Sequence, residues 1–235
     1  MLTADEILSS SDWHLQPEEE LFPAAKSFLE MAATRGTRTV LNGDILDLII
    51  HGVRAYQGSL AIKSLRAHLP PQGVDLILGN HSGRLAWLLN LLGDEPGVRI
   101  VRSLDIVSGD RIWHFEHGDR LSLDWGWLRP AYQGVADIMM AVSPALWIAF
   151  CRRMGWVPSA YRWRLGESQK YQKLTGTIWS NALEYAQSHN VNVGIGHTHT
   201  AVVIETAFAT VADSGDMRDC QFTLIEKGKA YREAI

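Results

Sequence analysis

Five times along the chain a short apolar stretch of strand length breaks off into side chains that ligate metals, and this recurrence limits the fold more than composition does. The blocks are Asp12-Trp13-His14, Gly43-Asp44-Ile45-Leu46-Asp47, Gly79-Asn80-His81, His117-Gly118-Asp119 and Gly196-His197-Thr198-His199. Ahead of them run Ile7 to Ser11, Thr39 to Asn42, Val74 to Leu78, Arg111 to Glu116 and Val191 to Ile195, each with the period-two or continuously apolar character of a strand. More strands are expected at Asp105 to Val107, Ala201 to Glu205, Ala209 to Ala212 and Gln221 to Glu226, the last turning through Lys227-Gly228-Lys229 into a final short strand. Helical periodicity fills about Glu20 to Thr34, Ser59 to His68 and Gly83 to Leu92. Strand alternating with helix predicts a layered α/β fold.

In such folds the loops beyond the carboxyl ends of the strands converge on one crevice, so ligand residues placed there share a rim. Asp12 with His14, and His197 with His199, stand at alternate positions and so project to one side of an extended segment. The glycines at 43, 79, 118 and 196 permit sharp turns where the backbone leaves a strand close to a metal. A lone His or a Gly-Asp pair is commonly a core residue or a turn; the ordered set is what points to chemistry. Imidazole, carboxylate and amide donors without thiolates suit borderline divalent ions, Mn first, then Fe or Zn. Asp44 is the natural bridge between two of them.

With 235 residues the chain suits a single domain over 1–235. The stretch from about Leu123 to Leu174 breaks the strand-helix rhythm and is rich in aromatic, Met and Arg residues, which predicts an inserted helical cap. Its most apolar piece, Val135 to Cys151, holds Asp137 and Pro144 and falls short of the roughly 20 residues a membrane span needs. The formal charge of −4 lacks the basic excess of a nucleic-acid binder, so no nucleic acid is expected as partner. Two distant cysteines, Cys151 and Cys220, build neither a disulfide framework nor a zinc knuckle. Acidic residues stand where a signal peptide would be basic, which leads to the expectation of a cytoplasmic protein.

In order and residue type the blocks resemble the calcineurin-like metallophosphoesterase superfamily, whose signature is Asp-x-His, Gly-Asp-x-x-Asp, Gly-Asn-His with a following acid, a His, and Gly-His-x-His. The resemblance covers nearly the whole chain and implies a β-sandwich flanked by helices. It also implies one metal held by Asp12, His14, Asp44 and His199 and a second by Asp44, Asn80, His117 and His197, with His81 and Asn80 as catalytic groups. Within the superfamily the chain is most similar to the UDP-2,3-diacylglucosamine hydrolases, through His117-Gly118-Asp119, the long insertion, and Asp213-Ser214-Gly215-Asp216 leading into Cys220-Gln221-Phe222-Thr223-Leu224. One departure concerns Ser82, which stands where the superfamily has Asp or Glu to orient the preceding His.

The implied reaction is hydrolysis of a phosphodiester or pyrophosphate bond, with two cations clamping the phosphoryl oxygens and His81 protonating the leaving oxygen. The alternatives are a phosphoesterase for soluble nucleotides or phosphomonoesters, and a non-catalytic metal-binding scaffold on the same fold. For a lipid-linked substrate, Trp125 and Trp127 would flank the acyl chains while Arg84, Arg152 and Arg153 meet phosphates, and the insertion would touch the cytoplasmic face of a membrane.

Overall fold

In a computed structural model, residues 2–82, 85–121 and 169–235 are described. In chain order the elements begin β1 (Leu2–Thr3), β2 (Glu6–Ser10), α1 (Pro23–Arg35), β3 (Arg38–Asn42), α2 (Leu48–His51), α3 (Val53–Tyr56) and α4 (Leu60–His68). They continue with β4 (Val74–Ile77), α5 (Leu85–Leu92), β5 (Val98–Val101), β6 (Leu104–Ser108), β7 (Arg111–Phe115), α6 (Gln169–His189) and β8 (Asn192–Ile195). The chain closes with β9 (Val202–Glu205), β10 (Thr210–Asp213), a 3-10 turn at Met217–Asp219, β11 (Gln221–Glu226) and β12 (Lys229–Ala234).

Two sheets of six strands result, one ordered β12-β11-β2-β3-β4-β5 and the other β1-β6-β7-β8-β10-β9. In the first, β2 to β5 run parallel and β11 is antiparallel to β2; in the second, β7, β8 and β10 are mutually parallel. Neighbouring residues on a strand face opposite ways, and the first sheet uses both faces. Ile7, Val40 and Ile77 pack against Ile106, Trp113 and Phe115 of the second sheet. Leu8, Leu41 and Leu76 face Phe28, Leu65 and Leu88 of α1, α4 and α5. On the outer side of the second sheet, Val193, Ile195 and Val211 meet Ile178, Ala182 and Ala186 of α6. Helix, sheet, sheet and helix therefore stack in four layers, the architecture expected from the sequence.

Local chemistry sets the boundaries. Pro23, with no N–H to lose, opens α1 later than periodicity alone suggested, and Gly36 closes it in the left-handed region at φ 65°. Ser59 caps α4 by accepting the Ile62 N–H at 3.2 Å. Lys227 and Gly228, at φ 48° and 84°, form the tight turn into β12.

The strand β5 and the helix α6 are additions to the sequence reading. Alternating Arg99 with apolar residues, β5 is a half-buried edge strand whose Arg99 binds Asp75 of β4 at 2.6 Å. The fully buried line of α6, Ile178, Ala182 and Ala186, is mostly alanine, with Leu174, Trp179, Leu183 and Tyr185 only partly buried beside it. Of the insertion read at 123–174, only the last six residues are described, and they form the start of α6.

Candidate metal centre

All five ligand blocks lie beyond the carboxyl ends of β2, β3, β4, β7 and β8, on the one rim where the two sheets meet. The sheets are tied there by Asn42 Nδ2 donating to the Gly194 carbonyl at 3.1 Å and by a parallel bridge between Ser11 and Asp216. A Cβ on Gly196 would fall 2.5 Å from the Ser11 Cβ, so glycine is what lets the sheets close up at this point.

Two groups of donor atoms form side by side, Asp12 with His14 and His199, and Asp44 with His117 and His197, and a third, His14 with Asp47 and His81, shares His14 with the first, the atoms of each group lying within 4.8 Å of one another. Asn80 joins the second group, its Oδ1 3.2 Å from His117 Nε2, and Asp44 Oδ2 is 3.0 Å from the same nitrogen. All seven residues expected from the sequence as ligands thus meet on one rim. Asp12 Oδ1 stands 3.5 Å from His199 Nε2, 3.7 Å from His14 Nε2 and 4.0 Å from His117 Nε2, so it faces both groups.

His14, His117 and His199 present their Nε2 atoms because Nδ1 is engaged elsewhere. His117 Nδ1–H donates to the Asn42 carbonyl at 2.8 Å, which can only accept. His14 Nδ1 faces Asp47 Oδ1 at 2.7 Å, and His199 Nδ1 faces Asp216 Oδ2 at 3.1 Å. Partners of this kind fix tautomer and ring angle in metal sites. The same Asp47 oxygen lies 2.8 Å from His81 Nδ1, and the His81 backbone N–H donates to Asp44 Oδ1 at 2.7 Å. The acid expected after His81 is therefore supplied by Asp47. Ser82 instead closes its own turn, its Oγ accepting the Gly79 N–H at 3.3 Å.

Five of the eight non-glycine residues with positive φ among the described residues belong to the candidate donor set: Asp12 (56°), His14 (46°), Asp44 (51°), His197 (72°) and His199 (54°). Such conformations cost roughly 1–3 kcal/mol each and gather at functional sites. The four flanking glycines act in two ways. Gly43 and Gly118 do adopt positive φ, at 87° and 101°. Gly79 and Gly196 do not; there the missing side chain makes room, at Gly79 for the Asp44 carboxylate and at Gly196 for Ser11.

The donor set fits cations. Asp12 Oδ1 and His14 Nε2 are buried without a hydrogen-bond partner, and their 3.7 Å separation is too long for a bond between them. Asp12 and Asp44 are 0% and 1% exposed. Burial alone would raise their pKa values, but surrounding imidazoles, His199 first for Asp12 and His117 first for Asp44, hold both carboxyls well below the usual range. Burial pulls His117 down, yet Asp44 outweighs it and lifts the imidazole to about 10. His14 is likewise raised against burial by Asp12 and Asp47 together, and His199 chiefly by Asp12. Burial, with His117 alongside, lowers His197 to about 3.

Binding a cation requires neutral imidazoles, so metal uptake should release protons. At pH 7 the metal-free protein carries protons on His117 and His14, and His197 is neutral. Calorimetric titration with Mn in buffers of different ionisation enthalpy should register net release of more than one proton per chain, with affinity climbing as pH rises from 6 to 8. A pH-independent affinity would contradict the paired states of these rings. The His117–Asp44 pair also stabilises the metal-free fold below the ordinary imidazole pKa of 6.5, and that contribution is lost as pH rises through about 10.

Arg84, Trp125, Trp127, Arg152 and Arg153, expected at the substrate, lie outside the described residues. The sequence reading passed over Asp216, Arg218 and the Asn42 carbonyl; only Asp216 left a trace, in the Asp-Ser-Gly-Asp segment.

No family model matches the sequence, and no curated protein is significantly similar to it. Solved structures match in fold. An archaeal phosphodiesterase superposes with a TM-score of 0.51 at 14% identity, over 98% of this chain and 99% of that one. Vps29 (vacuolar protein sorting 29) of Cryptosporidium parvum gives 0.49 at 12% identity over 99% and 97%. YfcE, a phosphoesterase of E. coli, gives 0.46 at 13% over 98% and 99%. At these identities the likeness is one of fold, and the archaeal structure carries it: two mixed sheets flanked by helices, the metallophosphoesterase arrangement.

Proposed function

We propose that the chain is a metal-dependent phosphoesterase that cleaves a phosphodiester or pyrophosphate bond with two divalent cations, Mn first among them. The observation that carries this reading is the pair of adjoining donor groups, with Asp12 Oδ1 and His14 Nε2 left unpartnered between them and the Asp47-held His81 alongside. Asp12, His14 and His199 would hold one cation, Asn80, His117 and His197 the other, with Asp44 shared. The fold shared with a phosphodiesterase supports the reaction class.

Two buried carboxylates would repel a phosphate on their own, so the rim needs cations before it can take an anionic substrate. When bound, these supply Lewis acidity, neutralising phosphoryl oxygens and acidifying a water molecule. The chain's own contribution is orientation. Asn80, whose Oδ1 faces His117 Nε2, leaves its amide hydrogens for a phosphoryl oxygen. Asp47 pins His81 through Nδ1, which turns Nε2 outward to pass a proton to the leaving oxygen.

The finer assignment, a nucleotide-diphospho-lipid such as UDP-diacylglucosamine met at a membrane surface in the cytoplasm, rests on the resemblance carried by His117-Gly118-Asp119, the 123–174 insertion and the Asp213-Ser214-Gly215-Asp216 segment. No helix among the described residues is long and apolar enough to cross a membrane. Mn-loaded protein assayed against UDP-diacylglucosamine, other nucleotide-diphospho-lipids, cyclic nucleotides, a bis-aryl phosphate and an aryl monophosphate separates the readings. Turnover of diesters or pyrophosphates above the monoester is the expected result. Preference for the monoester would overturn the bond class, and two bound metals with no turnover on any ester would make the protein a scaffold.

A further inference from the structure

Outside the ligands and the two acids that orient their rings, one polar side chain reaches the backbone of the Asp12–His14 segment from the far end of the chain. Arg218 Nε donates to the Trp13 carbonyl at 3.0 Å and Nη2 to the His14 carbonyl at 3.1 Å. Nη2 also meets Glu19 Oε2 at 2.7 Å, and the guanidinium lies 5.1 Å over the Phe22 ring. Glu19 in turn accepts the Gln16 N–H at 3.1 Å, and Phe22 packs edge-on to buried Trp13 at 6.2 Å. The grip continues on the other side: the Met217 N–H donates to the Ser11 carbonyl at 3.3 Å, and Asp216 accepts the Arg218 N–H through Oδ1 at 2.8 Å while Oδ2 faces His199 Nδ1.

We propose that Arg218 is a positioning residue for the cation held by Asp12, His14 and His199: its fork, bonded to the Trp13 and His14 carbonyls, keeps the strained Asp12–His14 segment in the shape that aims both side chains at the metal. This rests on the metal-centre reading above. Asp12 and His14 sit at φ 56° and 46°, a conformation that persists only where its surroundings over-determine it. Successive carbonyls of such a segment splay apart, and a planar guanidinium with five donors in fixed directions can bond both and a carboxylate together. An ammonium keeps the charge but has no such fork. The half-exposed Glu19 pair is of little worth to stability by itself, which leaves the carbonyl bonds as the specific feature.

The test is metal binding by the full chain. Wild type, Arg218→Lys and Arg218→Ala are stripped with chelator, checked by near-ultraviolet circular dichroism and thermal unfolding, and titrated with Mn, or with Co whose visible spectrum reports ligand geometry. Arg218→Lys should keep the fold and bind one ion as wild type does, while the other weakens about 10- to 100-fold, the usual cost of losing an outer partner at a metal site. Its Co spectrum should change for that ion alone. Wild-type affinities for both ions in Arg218→Lys would overturn the proposal, as would equal loss of both ions with a lowered unfolding temperature, which would make Arg218 a general stabiliser. Failure of the wild-type chain to bind metal would instead sink the metal-centre reading, and the proposal with it, independently of any assay of turnover.

Discussion

Asp44→Ala should leave the protein without either cation and take phosphoester turnover to background. Asp44 is buried, with Oδ1 on the His81 N–H at 2.7 Å and Oδ2 3.0 Å from His117 Nε2. Gly79 has no side chain because one would collide with this carboxylate. If Asp44 is shared by both ions, its loss removes a donor from each, and two-metal catalysis contributes several kcal/mol of charge stabilisation, about 10³-fold or more in rate. Elemental analysis per chain decides the point. Asp12→Ala is the informative comparison, because Asp12 Oδ1 also faces rings of both groups, at 3.5 to 4.0 Å. A chain that keeps one ion after Asp44→Ala and none after Asp12→Ala would move the bridge to Asp12. Asp44→Asn, which retains an oxygen for the His81 N–H, separates lost coordination from a collapsed loop.

The strands nearest the site were legible to within a residue because their content is unambiguous. β2, β3 and β4 are buried on both faces and each carries an adjacent apolar pair, Ile7-Leu8, Val40-Leu41 and Leu76-Ile77, and each stops shortly before a block of candidate donors on the rim. The edge strand β5 and the alanine-lined α6 were not legible, since one face of each carries little apolar weight. At the site the residues that gather on the rim could be found, because their types are restricted and glycines flank them. What surrounds them could not. Arg218 and Trp13 are 205 positions apart, and His14 and Asp47 are 33 apart; nothing local to either partner announces the contact.

The Ser82 question has the same form. Sequence supplies only the residue beside His81, whereas the orienting acid comes from the Asp44 block through the fold. Nor did the pattern reveal that the ligands themselves would bear the left-handed backbone. Glycine is the cheap occupant of that region, but a side-chain donor cannot be glycine, so the strain falls on the candidate donors Asp12, His14, Asp44, His197 and His199. The tight contacts between sheets, helices and carbonyls around them are what hold it there.

His81→Ala should keep both cations and still lose about 10² to 10⁴ in turnover on a substrate with a poor leaving group, the usual contribution of a positioned general acid. His81 lies beside His14, and both rings are held by Asp47. Its Nδ1 and that of His14 face one and the same oxygen, Asp47 Oδ1, at 2.8 and 2.7 Å, and the two rings stand edge to face at 4.8 Å. Nδ1 is therefore committed to a carboxylate, and under the proposed reaction Nε2 is the nitrogen left for the leaving oxygen. An aryl phosphate, whose phenolate leaves without help, should lose far less than an alkyl or nucleotide ester on the same variant. The shared oxygen adds a second readout, because Asp47→Asn disturbs both rings: it should reproduce the leaving-group dependence of His81→Ala and also weaken the ion bound by His14 about 10- to 100-fold. Equal losses on aryl and alkyl substrates, or loss of metal in His81→Ala, would take the proton-donor role away from His81 and return the ring to a structural or ligand role.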